Sequence, residues 1–235
     1  MAKKKILCIG DSTALPGHLN KYEDTWYSKL YEHFDHLNFI TVFRRSITTE
    51  ILVTEGGGDL LDCTPLGADC LEYYEPEAVI LQLGIVDCAP RLFLRGTIEY
   101  KVVNSLPEGI RLKYIKLIKK IRTRNLNRVE VPLKIFKKNL TSYFDRCLKL
   151  SVRKVVIVGI PYPDQRMIEA NPMITTTVET YNNCYRELCV VYDFATVIFP
   201  LDSRELEDIF QDGYHPNIKG HQLLFEAIKA ALGSI

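Results

Sequence analysis

Lys3-Lys4-Lys5-Ile6-Leu7-Cys8-Ile9-Gly10-Asp11-Ser12-Thr13 opens the chain. Ile6 to Ile9 form a short, unbroken apolar run, the pattern of a strand buried on both faces of a parallel sheet. The run stops at Gly10, which permits a sharp turn. Asp11 and Ser12 then fall just past the carboxyl end of the strand, where open α/β sheets place their ligands. A serine there is a candidate nucleophile if a base can reach it. The same tripeptide is also ordinary turn and helix-cap chemistry, so its meaning depends on a partner elsewhere in the chain.

The strand pattern recurs downstream. Asn38 to Phe43, Ala78 to Leu83, Val155 to Ile160 and Val190 to about Phe194 read as further strands. Helical segments separate them. Asp24 is placed to cap a helix running to about Phe34, with Trp26, Leu30 and Phe34 on one face. Further helices are expected from Asp59 to about Tyr74, from Pro132 to Leu150 and from about Thr177 to Cys189. The chain closes on an amphipathic helix carrying Leu224, Ile228 and Ala231. This alternation predicts an α/β fold, a parallel sheet of about five strands with helices on both faces, three layers deep. Such a sheet gathers its βα loops on one edge. Ser12, the segment Arg44 to Thr49, Asp87 and Pro161 all fall there, and Asp212 and His215 follow the last strand.

At 235 residues the chain is one large domain, or one domain with an insertion, and long enough to bury a real core. No segment approaches the ~18 apolar residues of a membrane span. The apolar run after the first lysines is too short for a secretory signal, so a cytoplasmic location is expected. The seven cysteines are odd in number and scattered through apolar segments, which suggests reduced, buried thiols. None has zinc-ligand spacing, and His33 and His36 near a helix end make a poor metal pair. Neither metal nor organic cofactor is expected.

The near-neutral net charge of +1 conceals an asymmetry. Between Tyr100 and Leu140 twelve Lys and Arg face only Glu108 and Glu130. Ile110, Tyr114, Ile115, Leu117, Ile118 and Ile121 sit among those lysines at helical spacing, which predicts an amphipathic basic helix in an insertion or cap at about 100–140. The plain reading is a solvated face with its isoleucines toward the core. The sharper one is a cationic rim that attracts an acidic glycan, a nucleotide-linked sugar, an acyl-CoA or a membrane surface. The aromatic residues there are not spaced as a base-stacking platform, so no nucleic-acid partner is expected.

Acyl transfer requires a nucleophile, a base within hydrogen-bond reach and a carboxylate to orient the base. Ser12, His215 and Asp212 can fill those roles. Asp212 and His215 are only three residues apart, so one loop can hold both, braced by the helix behind it. His18 is close to Ser12 in sequence but has no carboxylate placed to orient it. His221, one turn into the final helix, reads as structural.

Gly10-Asp11-Ser12, Gly84-x-x-Asp87 and Asp212-x-x-His215-Pro216-Asn217-x-x-Gly220-His221 together resemble the SGNH (GDSL-type) hydrolase superfamily over nearly the whole chain. The resemblance implies a flavodoxin-like three-layer sandwich and a serine esterase in which Ser12 attacks an ester carbonyl, His215 is the base and Asp212 orients it. It also implies that Asp87 organises the network near the serine. Two departures stand out. The family's second block supplies an oxyanion N–H from a glycine, and Thr49 lies near that place, with Gly56 to Gly58 as an alternative. The third block usually carries an asparagine whose side chain is an oxyanion donor, and Val86 stands there and cannot donate. Loss of one such donor costs about 10²–10³ in rate. Arg45 and Arg91 are near enough in sequence to substitute, holding either the oxyanion or an anionic group of the substrate. The expected substrate is an O-acyl, first of all O-acetyl, ester on a carbohydrate or other small molecule. Two other outcomes stay open: an O-acyltransferase acting on a sugar or surface-polysaccharide precursor, and a catalytically weak binding or scaffold protein.

Overall fold

The structure is a computed structural model that describes residues 3–53, 68–122 and 125–233. Strands β1 (Lys4–Gly10), β2 (Leu37–Phe43), β3 (Ala78–Gln82), β4 (Lys154–Val158) and β5 (Ala195–Ile198) form one sheet in the order β2-β1-β3-β4-β5. All four pairings are parallel. This is the doubly wound, flavodoxin-like order, whose switch point lies between β1 and β3. β1 is therefore the hub of the sheet, and the loop that follows it opens at the crevice where such sheets bind ligands.

Alternation along the strands divides the core into two layers. Leu7 and Ile9, Val79 and Leu81, and Val155 and Ile157 point to one face. Ile6 and Cys8, Ala78 and Ile80, and Val156 and Val158 point to the other. Helices α1 (Trp26–His33) and α9 (Ile218–Leu232) cover the second face with Trp26, Leu30, Leu224 and Ile228. The first face carries α6 (Leu133–Lys149) and α8 (Ile174–Val191), which bury Phe136, Leu140, Phe144, Val178 and Tyr185. Strands covered on both sides need the near-continuous apolar runs seen in β1 and β3.

The other helices among the described residues are α2 (Leu71–Tyr74), α3 (Ile85–Cys88), α4 (Ile98–Ser105), α5 (Glu108–Arg122) and α7 (Gln165–Ala170). The expected Asp59-to-Tyr74 helix appears as α2 at its end, and its beginning lies outside the described residues, as do Gly56 to Gly58 and the side chain of Ile121.

Three expectations need correction. The last strand is β5, Ala195–Ile198, not Val190 to Phe194, because α8 runs on through Val191. The β-branched pair Val190–Val191 suggested a strand, yet both residues lie on the solvent face of the helix end, 87% and 73% exposed. The cap of α1 is Thr25, whose hydroxyl accepts the Ser28 N–H, while Asp24 accepts the N–H of Lys21 one turn earlier. The isoleucine face of the basic helix is only partly used. Ile118 is buried, but Ile110 and Leu117 are exposed. Within the basic stretch α6 is a core helix, so the protruding part is α4 and α5 with their connections.

Candidate active site

Gly10 is needed for close approach rather than for an unusual backbone angle. A Cβ there would lie 2.7 Å from the Ala14 Cβ and 3.1 Å from the Phe43 ring. After it the chain turns into a single 3₁₀ turn, Ser12–Ala14. Asp11 caps that turn: its Oδ1 accepts the Thr13 N–H at 2.8 Å and the Thr13 hydroxyl at 2.7 Å. The cap is wholly buried, and Ser12 is held at its rim, facing a cavity.

Across the cavity stands the loop before α9, which carries Asp212 and His215. His215 Nε2 lies 3.0 Å from Ser12 Oγ, and its Nδ1 lies 2.8 Å and 3.0 Å from the two oxygens of Asp212. Asp212 Oδ1 also accepts the His215 backbone N–H, which fixes the loop around the ring. Burial pushes the Asp212 carboxyl up, but the hydrogen bond and charge of His215 pull it down further, so it lies below its ordinary value and stays ionised at neutral pH. Gly213, between them, has φ of 115°, a conformation that favours glycine, and a Cβ there would press on Met167. Behind the loop, Asn217 caps α9 by accepting the Gly220 N–H and donates to the Asp208 carbonyl.

The cavity has a volume of about 360 Å³ and is lined by Ser12, His18, Arg45, Ser46, Tyr214 and His215 among others. Tyr214 lies against the His215 ring, with centroids 4.2 Å apart. Ser12, Arg45, Asp212 and His215 thus line a single cavity.

Thr49, Asp87 and Arg91 stand elsewhere. Thr49 is wholly buried, and both its N–H and its hydroxyl donate to Asp87 Oδ1, at 2.9 Å and 2.6 Å. That N–H is therefore committed to Asp87. Asn139 of α6 donates to the Thr49 hydroxyl at 3.3 Å, which ties the network to the core. Val86 is buried, and its carbonyl accepts from Arg91 Nη2 at 3.3 Å. Arg91 braces α3 and does not line the cavity. Burial pushes the carboxyls up, Asp11 to about 6 and Asp87 to about 7, each against the opposing pull of its threonine hydrogen bonds. The Ser12 N–H makes no hydrogen bond within the described chain, so it is available to a ligand.

One residue that sequence reasoning missed joins the two halves of the site. Gln211 Nε2 donates to the carbonyls of Pro16 and Pro216, and Oε1 accepts the N–H groups of His18 and Leu19. A single amide thus ties the loop after Ser12 to the loop that carries Asp212 and His215. Its only sequence signal is adjacency to Asp212. His221 is wholly buried, and burial holds its imidazole down at about 4, so it is neutral. No cluster of three or more His, Cys, Asp or Glu side chains that could hold a metal occurs among the described residues.

A sequence model of the GDSL-like lipase/acylhydrolase family matches residues 6–228, from β1 through most of α9. The chain belongs to that family. GDSL-like acylhydrolases act on ester bonds, and this chain is an enzyme of that class. Solved structures share the family fold. TesA superposes with a TM-score of 0.59 at 16% identity over 98% of both chains. The lipase/acylhydrolase of Enterococcus faecalis gives 0.56 at 16% identity, over 96% of this chain and 93% of that one. A catalytic mutant of Axe2, an acetylxylan esterase from Geobacillus stearothermophilus, gives 0.56 at 15% identity, over 100% and 97%. At these identities the likeness is one of fold. No curated protein sequence matches the chain. No helix among the described residues is long and apolar enough to cross a membrane.

Proposed function

We propose that the chain hydrolyses a small O-acyl ester, first of all an O-acetyl group on a carbohydrate, through an acyl-enzyme on Ser12. The observation that carries the reading is the aligned chain Ser12 Oγ, His215 and Asp212, with contacts of 3.0 Å and 2.8 Å. His215 Nε2 takes the hydroxyl proton as Oγ adds to the ester carbonyl, and Asp212 steadies the imidazolium through Nδ1–H. Collapse of the tetrahedral adduct expels the alcohol, which receives the proton from His215. Water then enters and adds to the acyl carbonyl as it gives a proton to the same nitrogen; the second adduct collapses, His215 returns that proton to Ser12 Oγ, and the acid leaves.

The oxyanion donors in this reading are the unbonded Ser12 N–H and the Arg45 guanidinium at the cavity wall. The Thr49 N–H is left out because Asp87 already holds it. Arg45 can alternatively hold an anionic group of the substrate, and the two roles separate kinetically. An oxyanion role lowers kcat on neutral esters in Arg45→Ala, whereas substrate binding raises KM on anionic esters alone. A cavity of about 360 Å³ with a largely polar wall suits a short acyl group on a polar alcohol. The acetylxylan esterase among the fold relatives makes acetylated xylo-oligosaccharides the first substrates to try.

The test is release of acetate from such oligosaccharides and from p-nitrophenyl acetate by wild type and Ser12→Ala. The variant is expected to lose about 10⁴-fold or more in kcat. Equal turnover by the two proteins overturns the mechanism. Turnover of the aryl ester without acetate release from any acetylated sugar overturns the carbohydrate assignment.

A further inference from the structure

Helices α4 and α5 carry a surface that the catalytic reading does not use. Ile98, Val102, Ile110, Leu112 and Leu117 are 81, 54, 56, 54 and 73% exposed. Single exposed aliphatics are ordinary, but five within twenty residues are not. They are interleaved with Lys101, Lys113 and Lys116, which pair with no acidic group among the described residues. The inner side of the same hairpin is well tied. Glu99 accepts from the Tyr114 hydroxyl at 2.9 Å and from Arg122 Nη2 at 2.6 Å. Arg122 lies over the Phe93 ring, and Ile118 is buried. The exposed aliphatics therefore belong to an ordered element with a packed inner side and an apolar, cationic outer one.

The hairpin is rooted at the mouth of the active site. It leaves the catalytic edge after α3. Arg95 Nη1 donates to the carbonyl of Ser46, at 2.8 Å, and Ser46 lines the Ser12 cavity. The chain returns where the Val131 N–H donates to the Asp87 carbonyl.

We propose that the α4–α5 hairpin docks the enzyme on an anionic lipid surface, the lysines meeting headgroups and the isoleucines and leucines entering the acyl boundary. Charge selects this occupant. A two-fold pairing of the hairpin with a second copy sets its net charge, +5 over residues 98–122, against the same charge. A nucleic acid offers the lysines phosphates but leaves the aliphatics in water, and the ring of Tyr114 is turned inward to Glu99 and Phe93 rather than outward to stack on bases. A bilayer rich in anionic headgroups satisfies both kinds of residue at once. Docking depends on the esterase reading only for what the cavity does there, namely meet esters at that surface; the binding itself does not need Ser12.

The test is co-sedimentation of the full chain with vesicles of phosphatidylcholine alone and with one-third phosphatidylglycerol, at low and high salt. Binding is expected on the anionic vesicles only, and it falls in high salt because surface charges are screened. Ile110→Glu with Leu117→Glu, and separately Lys113→Glu with Lys116→Glu, should each weaken it at least about tenfold, with far-UV spectrum and melting temperature unchanged. Ser12→Ala should bind like wild type, so loss of catalysis and loss of docking are read separately. The proposal is overturned by absence of binding to anionic vesicles, by equal binding to neutral ones, or by folded double variants that bind as wild type. Retention on nucleic acid without vesicle binding, or a dimer that the aliphatic variants dissociate without vesicle binding, overturns it too.

Discussion

At the residue scale, the site depends on groups that set the distance between Ser12 and His215. Gln211 spans the two loops with four hydrogen bonds from one side chain. Gln211→Ala removes the brace without touching the reacting atoms. We expect kcat on p-nitrophenyl acetate to fall about 10- to 100-fold, since a misplacement of about 1 Å costs on that order, with KM little changed. A rise in KM at constant kcat would make Gln211 a binding residue instead. Gln211 was not legible in the sequence because nothing marks a glutamine as spanning 195 residues to Pro16. Asp212 and His215 were legible because they sit three apart in a loop before a capped helix, and the fold order brings that loop to the end of β1. Thr49 was placed near the oxyanion by position alone. The buried Asp87, which claims its N–H, is 38 residues away.

At the element scale, α6 is held to the sheet's flank by more than its apolar face. Arg146 makes paired contacts with Asp69, at 2.8 Å and 2.9 Å, binds Glu72 and donates to the Leu52 carbonyl at 2.7 Å. Asp69 is wholly buried, so removing the guanidinium strands a charge. Arg146→Met should cost about 3–5 kcal/mol in urea unfolding, and Arg146→Met with Asp69→Leu should recover part of it. No recovery in the double variant would contradict the charge-stranding account. This network was hidden in the sequence for the same reason as Gln211: its partners come from separate elements. The last strand was misplaced for a different reason. Val190 and Val191 have strand propensity, but propensity is weak beside the packing of Leu188, Tyr185 and Tyr181, which continues α8 to its end. β1 and β3 were read closely because strands buried on both faces leave an unbroken apolar run that no helix of this length would need.

At the scale of the whole molecule, the parallel sheet buries two carboxylates at its active edge. Asp11 and Asp87 are held at about 6 and about 7, above the value of about 3.9 for an unfolded aspartate. Between those limits the folded chain keeps protons that the unfolded chain releases. Their contribution is thus fully favourable below about pH 4 and is lost as pH rises through about 7. His221, held at about 4 by burial, opposes them by about 2 kcal/mol between pH 5 and 6.5, so stability at pH 5 should exceed that at pH 8 by about 1–3 kcal/mol. In Asp87→Asn, whose amide oxygen can still accept from Thr49, most of that difference should vanish. A wild-type chain less stable at pH 5 than at pH 8 would contradict the burial account.

The proposed reaction requires Ser12 to be an activated nucleophile. Its most direct test is intact-protein and peptide mass analysis after treatment with a fluorophosphonate. One adduct is expected, on Ser12, formed by the folded wild type and abolished in His215→Ala. A folded wild-type chain that stays unlabelled at Ser12, or is labelled equally without His215, would contradict it.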